Sequence, residues 1–438
     1  MNNKLKILFL GLFLNFQCAY GNDFGINLNW FDNFHDENLK KCIYEALSHN
    51  KDIQIARKNI LKLRQETNLN ISKEMPNVNV GSDYLLLKVP KTAIPNNDIQ
   101  TNSYALPFNV QWEVDYLLKN YNQVQKSRLD EKNSYLELKA SNLMVVSDVA
   151  SFYFNISKLN EEIEKQTKIK DNSYQIFLRK RKMFDYGVIS SIELNKAEEN
   201  YLEEKNKCEI LYTEKERFLT SLLYYMGKTP SNRDLIKITH FGDIDFKGVY
   251  PETLKGDIIQ YRPDVSKMEN ELEKAKIDIT IAKKEFLPQI NIIGLMVFST
   301  FVQNFGWDGV FAALLAGATQ NIFDGGKRVF TLKKRKAEYE LMVENFLKTD
   351  LNALKEVNDA LFKVKTDYKV YENEKMKLNL SNSNFKKVSN SFNKGTKSYI
   401  DYLDENILFL KNDISYQNSK NQNFTNLLTL YKAVGGAL

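Results

Sequence analysis

The feature that most constrains this chain is that its text is written twice. Asp52 is followed 24 residues later by Pro76, and Asp264 is followed 24 residues later by Pro288. What comes after each proline matches, Pro76-Asn77-Val78-Asn79-Val80 against Pro288-Gln289-Ile290-Asn291-Ile292. Phe184-x-x-Gly187-x-x-Ser190 recurs as Phe392-x-x-Gly395-x-x-Ser398, and Gly227 and Gly435 each stand 40 residues beyond the glycine before them. These coincidences fall in one order, which means duplication of one structural unit. The expected organisation is a first repeat at 22–227, a linker at 228–250 and a second repeat at 251–438.

Periodicity changes in the same way within each unit. Leu39 to Lys73 reads as helix, stopped by Pro76. A strand pair follows at about 77–116, then a long polar helical region from about Asn120 to Phe184, and a returning helix through Leu223. The second unit repeats this, with helices near 252–286, 327–391 and 399–433 and a strand pair at about 289–323. The long segments carry stripes at steps of three and four. Leu136, Ala140, Leu143, Val146, Ala150 and Tyr153 form one, and Leu347, Leu351, Leu354, Val357, Leu361 and Val364 another. Such stripes bury against neighbouring helices and leave the opposite face wet. A helix of about 65 residues runs about 100 Å, a length that suits a rod or a tube of helices.

The strands narrow the choice. From Leu106 to Tyr116 the even positions are apolar or aromatic, whereas the odd ones include Asn109, Gln111, Glu113 and Asp115. A strand between lipid and water alternates this way, and so does one half-buried on a soluble core. Its expected partner is Val78 to Val89; the second pair, Ile290 to Phe301 and Val310 to Phe323, alternates less cleanly. Four strands cannot close a membrane barrel, and open edges in lipid are prohibitively costly. Membrane strands would therefore require oligomerisation, and three copies of four strands give 12, an even number within the known range.

The N-terminus agrees with export. Lys4 and Lys6 precede the apolar run Ile7 to Phe16, and Ala19-Tyr20-Gly21 offers small residues to a signal peptidase. This reads as a signal peptide at 1–21, too short to anchor in a bilayer. Phe16-Gln17 disfavour lipidation of Cys18, so cleavage after Gly21 is expected. Cys42 and Cys208 read as small buried side chains, although an oxidising compartment also permits a disulfide. No later segment reaches the apolar length of a membrane helix; the run from Gly309 to Ala318 suits a strand instead.

Enzymatic and nucleic-acid functions find little support. The excess of 61 basic over 55 acidic residues is small for 438 and reads as dispersed, so nucleic acid is not an expected partner. His35, His49 and His240 form no ligand-spaced group, and Asp324-Gly325-Gly326-Lys327 lacks phosphate-loop spacing. No catalytic centre, metal or cofactor is expected.

Taken in order, several motifs resemble the TolC-like outer-membrane efflux proteins over essentially the whole mature chain. They are Trp30, Phe34, Asp36 and Leu39 near the start, Asn50-Lys51-Asp52, Trp112-Glu113-Val114-Asp115, Arg262-Pro263-Asp264, Phe286-Leu287-Pro288 and Phe323-Asp324-Gly325-Gly326. The two Gly-x-x-Ser turns and the closing Leu430 to Gly436 complete the set. The opening motif and Arg262-Pro263-Asp264 look most like the branch partnering resistance-nodulation-division pumps. The resemblance implies a mixed α and β membrane protein: a homotrimer whose β-barrel, four strands per chain, sits in outer-membrane lipid and continues into a long periplasmic α-helical barrel. It implies passive conduction of drugs or other small molecules, with a periplasmic adaptor and an inner-membrane pump as partners. One departure is local, since Leu118-Lys119 stand where the family usually has a glycine.

Two candidate sites follow. Gly187 and Gly395 interrupt long helices, and Ser190 and Ser398 are placed to cap the returning ones. By family motif, Gly187, Val188, Ser190, Gly395, Thr396 and Ser398 form the tips that meet the adaptor. Asp401 and Asp404 share a helix face, and three copies would set six carboxylates around one axis as a cation-selective ring. This matches the family's aspartate constriction, and Phe392, Lys397 and Glu193 correspond to positions that help hold it shut. Two alternatives remain at this level, an outer-membrane duct for polypeptide or toxin secretion and a periplasmic coiled-coil structural protein.

Overall fold

The two halves of the chain repeat one order of elements, a 22-residue helix, a strand pair and two long helices. In the computed structural model, which describes residues 25–89, 99–254, 256–299 and 310–438, the first half holds helices α1 (Glu37–His49) and α2 (Lys51–Ser72), and strands β1 (Asn77–Val80), β2 (Asp83–Val89) and β3 (Ile99–Val114). Helices α3 (Lys119–Asp185) and α4 (Ser191–Tyr225) complete it. The second half holds α5 (Pro263–Lys284), β4 (Gln289–Ser299), β5 (Val310–Thr319), α6 (Lys327–Asn393) and α7 (Tyr399–Ala433). The partners match in length: α2 and α5 have 22 residues each, α3 and α6 have 67, α4 and α7 have 35. The expected signal peptide at 1–21, with Cys18, lies outside the described residues, as does the strand end at Phe301.

Two helices expected to be continuous are divided, for local reasons. Asn50 ends α1 and caps α2, its side-chain oxygen accepting from the Asp52 and Ile53 N–H groups at 2.9 and 3.2 Å. Pro263 opens α5 at the first helical position, where its missing N–H costs nothing; residues Gly256–Tyr261 before it form a 3-10 turn. The residue at each division also ties its half shut. Asn50 Nδ2 donates to the Tyr225 carbonyl at 2.9 Å, and Arg262 Nη1 donates to the Ala433 carbonyl at 2.9 Å. Two residues further on stand Gly227 and Gly435, both at positive φ. A Cβ there would lie 2.7 Å from the His49 carbonyl oxygen or 2.6 Å from that of Tyr261. The closing glycines are thus required by close backbone approach as well as by conformation.

The principal core lies where the N-terminal motif meets α3 and α7. Trp30 stacks on Tyr431 at 4.7 Å, and Phe34 meets Phe154 at 4.9 Å and Phe424 at 5.3 Å. Asp36 is buried, yet satisfied: it caps α1 through the Asn38 and Leu39 N–H groups and accepts from the Tyr153 and Thr239 hydroxyls at 2.8 and 2.9 Å. Burying each large side chain in such a cluster contributes about 1.5–3 kcal/mol. Cys42 and Cys208 are free and buried.

The long helices are unequally covered. α3 packs against α2, α4, α5 and α7. On α6, Val357 and Val364 are buried, but Leu347, Leu351 and Leu354 of the same stripe remain exposed, because among the described residues no element covers that face. The start of α6 also holds a basic cluster that dispersed charge did not suggest, with Lys327, Arg328, Lys333, Lys334, Arg335 and Lys336 within three turns. Among the described residues no helix is long and apolar enough to cross a membrane.

The strands form one antiparallel sheet in which β3 pairs with β1 and β2 on one side and β4 on the other, and β4 pairs with β5. Residues 81 and 82 interrupt the first strand between β1 and β2. Directly paired residues share a face. One face carries Val78, Val80, Phe108, Val110, Trp112, Ile292 and Met296; the other carries Asn77, Asn79, Asn109, Gln111, Glu113 and Asn291. Among the described residues, the outer edges of β1/β2 and of β5 have no partner strand.

Below the sheet, both halves enter their long helix through a residue in the left-handed region. In the second half it is Gly326, at φ +85°, while in the first it is Leu118, at φ +55°. Asp115 accepts from the Lys119 and Tyr121 N–H groups, as Asp324 does from those of Gly326 and Arg328. In both halves an aspartate thus caps the helix start beside a left-handed residue, and Leu118 adopts that conformation against its own steric preference.

Candidate channel gate and docking tips

At the end of α3, the Gly187 N–H bonds to the Phe184 carbonyl at 2.8 Å and the Val188 N–H to the Met183 carbonyl at 2.8 Å. The glycine, at φ +70°, closes the helix and reverses the chain. Ser190 Oγ then accepts from the Glu193 N–H at 3.3 Å and opens α4. The second tip repeats this. Gly395, at φ +74°, bonds to the Phe392 carbonyl, and the Thr396 N–H to the Ser391 carbonyl. There the cap is reciprocal: Ser398 Oγ accepts from the Asp401 N–H at 3.0 Å, and Asp401 Oδ2 accepts from the Ser398 N–H at 3.1 Å. The two tips differ in surface. The first exposes Tyr186, Val188 and Ile192, whereas the second exposes Lys394, Thr396 and Lys397.

The acidic pair lies just above the second tip on α7. Hydrogen bonds to Ser398 hold the Asp401 carboxyl below the ordinary aspartate value. Asp404 moves the other way. Burial of its carboxyl pushes it up, the charge of Lys180 on α3 opposes that, and Asp401 adds to it, although the residue as a whole remains exposed. Between them Leu403 is buried and joins Ile407 and Leu410 in packing on Ile169 and Ile176 of α3. Two carboxylates one turn apart are thus fixed by a capped helix start and by a small apolar seam between the two hairpins.

The positions expected to hold the aperture are not all brought together. Phe392 packs within its own hairpin, 5.1 Å from the Tyr402 ring and 5.5 Å from that of Tyr399. Phe385 extends this aromatic ladder to Phe409. Lys397 and Glu193 are both exposed and form no ion pair with each other within the chain.

Two links that sequence reasoning missed join the hairpins instead. The Arg179 guanidinium lies 4.1 Å from the centre of the Tyr399 ring. Higher up, Glu204 of α4 is 1% exposed and accepts from Gln166 of α3 at 2.7 Å and Lys411 of α7 at 2.7 Å. Burial alone would raise the Glu204 carboxyl, but the bonds from Lys411 and Gln166 leave it below the ordinary glutamate value. Neither link has a local sequence signature, because Arg179 and Tyr399, like Glu204 and Lys411, stand more than 200 residues apart. Among the described residues no group of histidine, cysteine or carboxylate side chains has metal-binding geometry.

Comparison with known proteins gives this architecture its place. The outer membrane efflux protein family model matches residues 42–215 and 254–436, one segment in each half. The probable efflux pump outer membrane protein TtgC of Pseudomonas putida is 22% identical over 421 residues, covering 93% of this chain and 84% of that protein. The cation efflux system protein CusC of Escherichia coli is 24% identical over 433 residues, covering 94% of this chain and 89% of that protein. In three dimensions the Campylobacter jejuni CmeC outer membrane channel matches with a TM-score of 0.84 at 20% identity, over 95% of this chain and 92% of that one. With both halves matched and the fold shared end to end, this chain belongs to the outer membrane efflux protein family.

Proposed function

We propose that this chain is the outer-membrane channel of a tripartite efflux system, assembled as a trimer and conducting small molecules passively. The observation that carries the assembly is the sheet: among the described residues both its edges are unpaired, and over residues 106–114 of β3 and 290–298 of β4 one of its faces is apolar. In lipid, the unpaired backbone groups require partner strands, and three copies supply a closed barrel. The uncovered apolar stripe on α6 would be buried by the same association.

The remaining assignments follow the same reading. Gly187, Val188 and Ser190, with Gly395, Thr396 and Ser398, form the tips that dock a periplasmic adaptor, and the exposed Tyr186, Val188 and Ile192 suit such a contact. Asp401 and Asp404 form the periplasmic constriction, with Phe392, Lys397 and Glu193 at its rim. An inner-membrane pump of the resistance-nodulation-division type is the expected source of energy, since TtgC, which is similar to this chain, is named as part of an efflux pump.

Loss of the gene tests the reading directly. Cells lacking the protein should retain ethidium that the parent strain extrudes, and the intact gene should restore extrusion. Unchanged ethidium efflux together with a monomeric, detergent-independent protein would contradict the proposal.

A further inference from the structure

The register of the sheet carries a consequence for what the channel retains. Glu113, with Gln111, Asn109, Asn79 and Asn77, marks the face that cannot meet hydrocarbon, because a carboxylate in lipid costs several kcal/mol. On the channel reading this face is the lumen wall. Gln111 pairs with Ile293, Asn109 with Leu295 and Pro107 with Val297. Ile293 in turn pairs with Leu315, Leu295 with Ala313 and Val297 with Phe311. Directly paired residues share a face, so the same wall that is amide-lined on the first strand pair is aliphatic and aromatic on the second. Ile293, Phe311 and Leu315 are 45%, 61% and 67% exposed. The strip is bounded by Asn291 at one end and Ser299 at the other, and the stretch from Ile293 to Val297 spans about 13 Å.

We infer that the β4–β5 hairpin is a specificity element, an apolar strip on the lumen wall that retains lipophilic solutes through contact with their alkyl or aryl groups. Stability does not demand it, since the first pair builds the same wall from amides. In a trimer, three such strips alternate with three polar sectors. A solute can slide along apolar wall while its charged group stays hydrated.

The inference rests on the channel reading, and current block separates the two. Tetraethylammonium and tetrabutylammonium carry one charge each and differ only in alkyl length, so attraction to the acidic constriction cancels in their comparison. Added to the extracellular side of reconstituted channels, tetrabutylammonium should stay about tenfold longer, the effect of covering about two methylene groups. In Ile293→Thr/Leu315→Thr, where threonine retains strand propensity, that ratio should fall by at least threefold at unchanged unit conductance. Phe311→Thr alone should lower it in the same direction, should the double variant fail to assemble. Conducting channels whose ratio is the same in wild type and variants, or that release both blockers alike, would overturn the apolar strip and leave the channel intact. Inserted trimers that never conduct would overturn the channel reading, and the strip with it.

Discussion

The Arg179 guanidinium sits 4.1 Å above the centre of the Tyr399 ring, joining the end of α3 to the first turn of α7. It reaches between the hairpins beside the acidic pair, where no ion pair of Lys397 with Glu193 does so. A cation over an exposed ring is worth about 0.5–1 kcal/mol. Removing it with Arg179→Ala should therefore raise the open probability of the channel about two- to fivefold, read from single-channel records. Unaltered gating would mean that the contact carries no constraint.

Asp401 has two roles that substitutions can separate. Asparagine keeps an oxygen to accept from the Ser398 N–H, whereas alanine removes it and leaves half the reciprocal cap. Asp401→Ala should lower stability by about 1 kcal/mol, while Asp401→Asn should be close to neutral in thermal unfolding. The double variant Asp401→Asn/Asp404→Asn should reduce cation preference severalfold without disturbing assembly.

The same pair gives a pH dependence. Asp404 is pushed up by burial and Asp401 held down by Ser398. As pH falls, Asp404 should neutralise first and Asp401 later, so cation preference should decline in two stages. In Asp404→Asn, reversal-potential measurements should lose the stage at higher pH and keep the lower one.

Glu204 makes the opposite kind of contribution. Its folded-state value is depressed, so its stabilisation is present above the ordinary glutamate value and is lost as pH falls through the depressed one. Glu204→Gln, which replaces a charge-assisted buried bond, should cost about 2 kcal/mol at neutral pH. The difference from wild type should shrink in acid, measured by denaturation of the purified assembly.

Leu118 offers a gain. It holds the left-handed conformation that Gly326 holds in the other half, at a cost of about 1 kcal/mol. Leu118→Gly should raise the thermal midpoint of the protein. A lower midpoint would show that the exposed Leu118 side chain is packed in the assembly.

Much of this architecture was legible because it depends on spacing. Gly187 and Gly395 punctuate long helices, and the structure reverses the chain at both. The duplicated prolines led to the sheet, and the motifs led to the family. The breaks at Asn50 and Pro263 were hidden because apolar spacing runs through them, and only capping and proline chemistry divide the helices. The α6 stripe was read as buried, yet among the described residues part of it has no cover, because periodicity marks an apolar face without saying what packs on it. Arg179 and Glu204 went unseen for a similar reason: their partners on α7 come into reach only after the second half folds back along the first.

Three copies of this chain should make an aqueous, cation-preferring pore. Single-channel recording of the purified protein in a planar lipid bilayer, with reversal potential measured across a salt gradient, tests it most directly. Discrete openings with a reversal potential displaced toward that of the cation, and diminished in Asp401→Asn/Asp404→Asn, are the predicted result. Trimers that insert but pass no current, or that show an anion preference untouched by those substitutions, would contradict it.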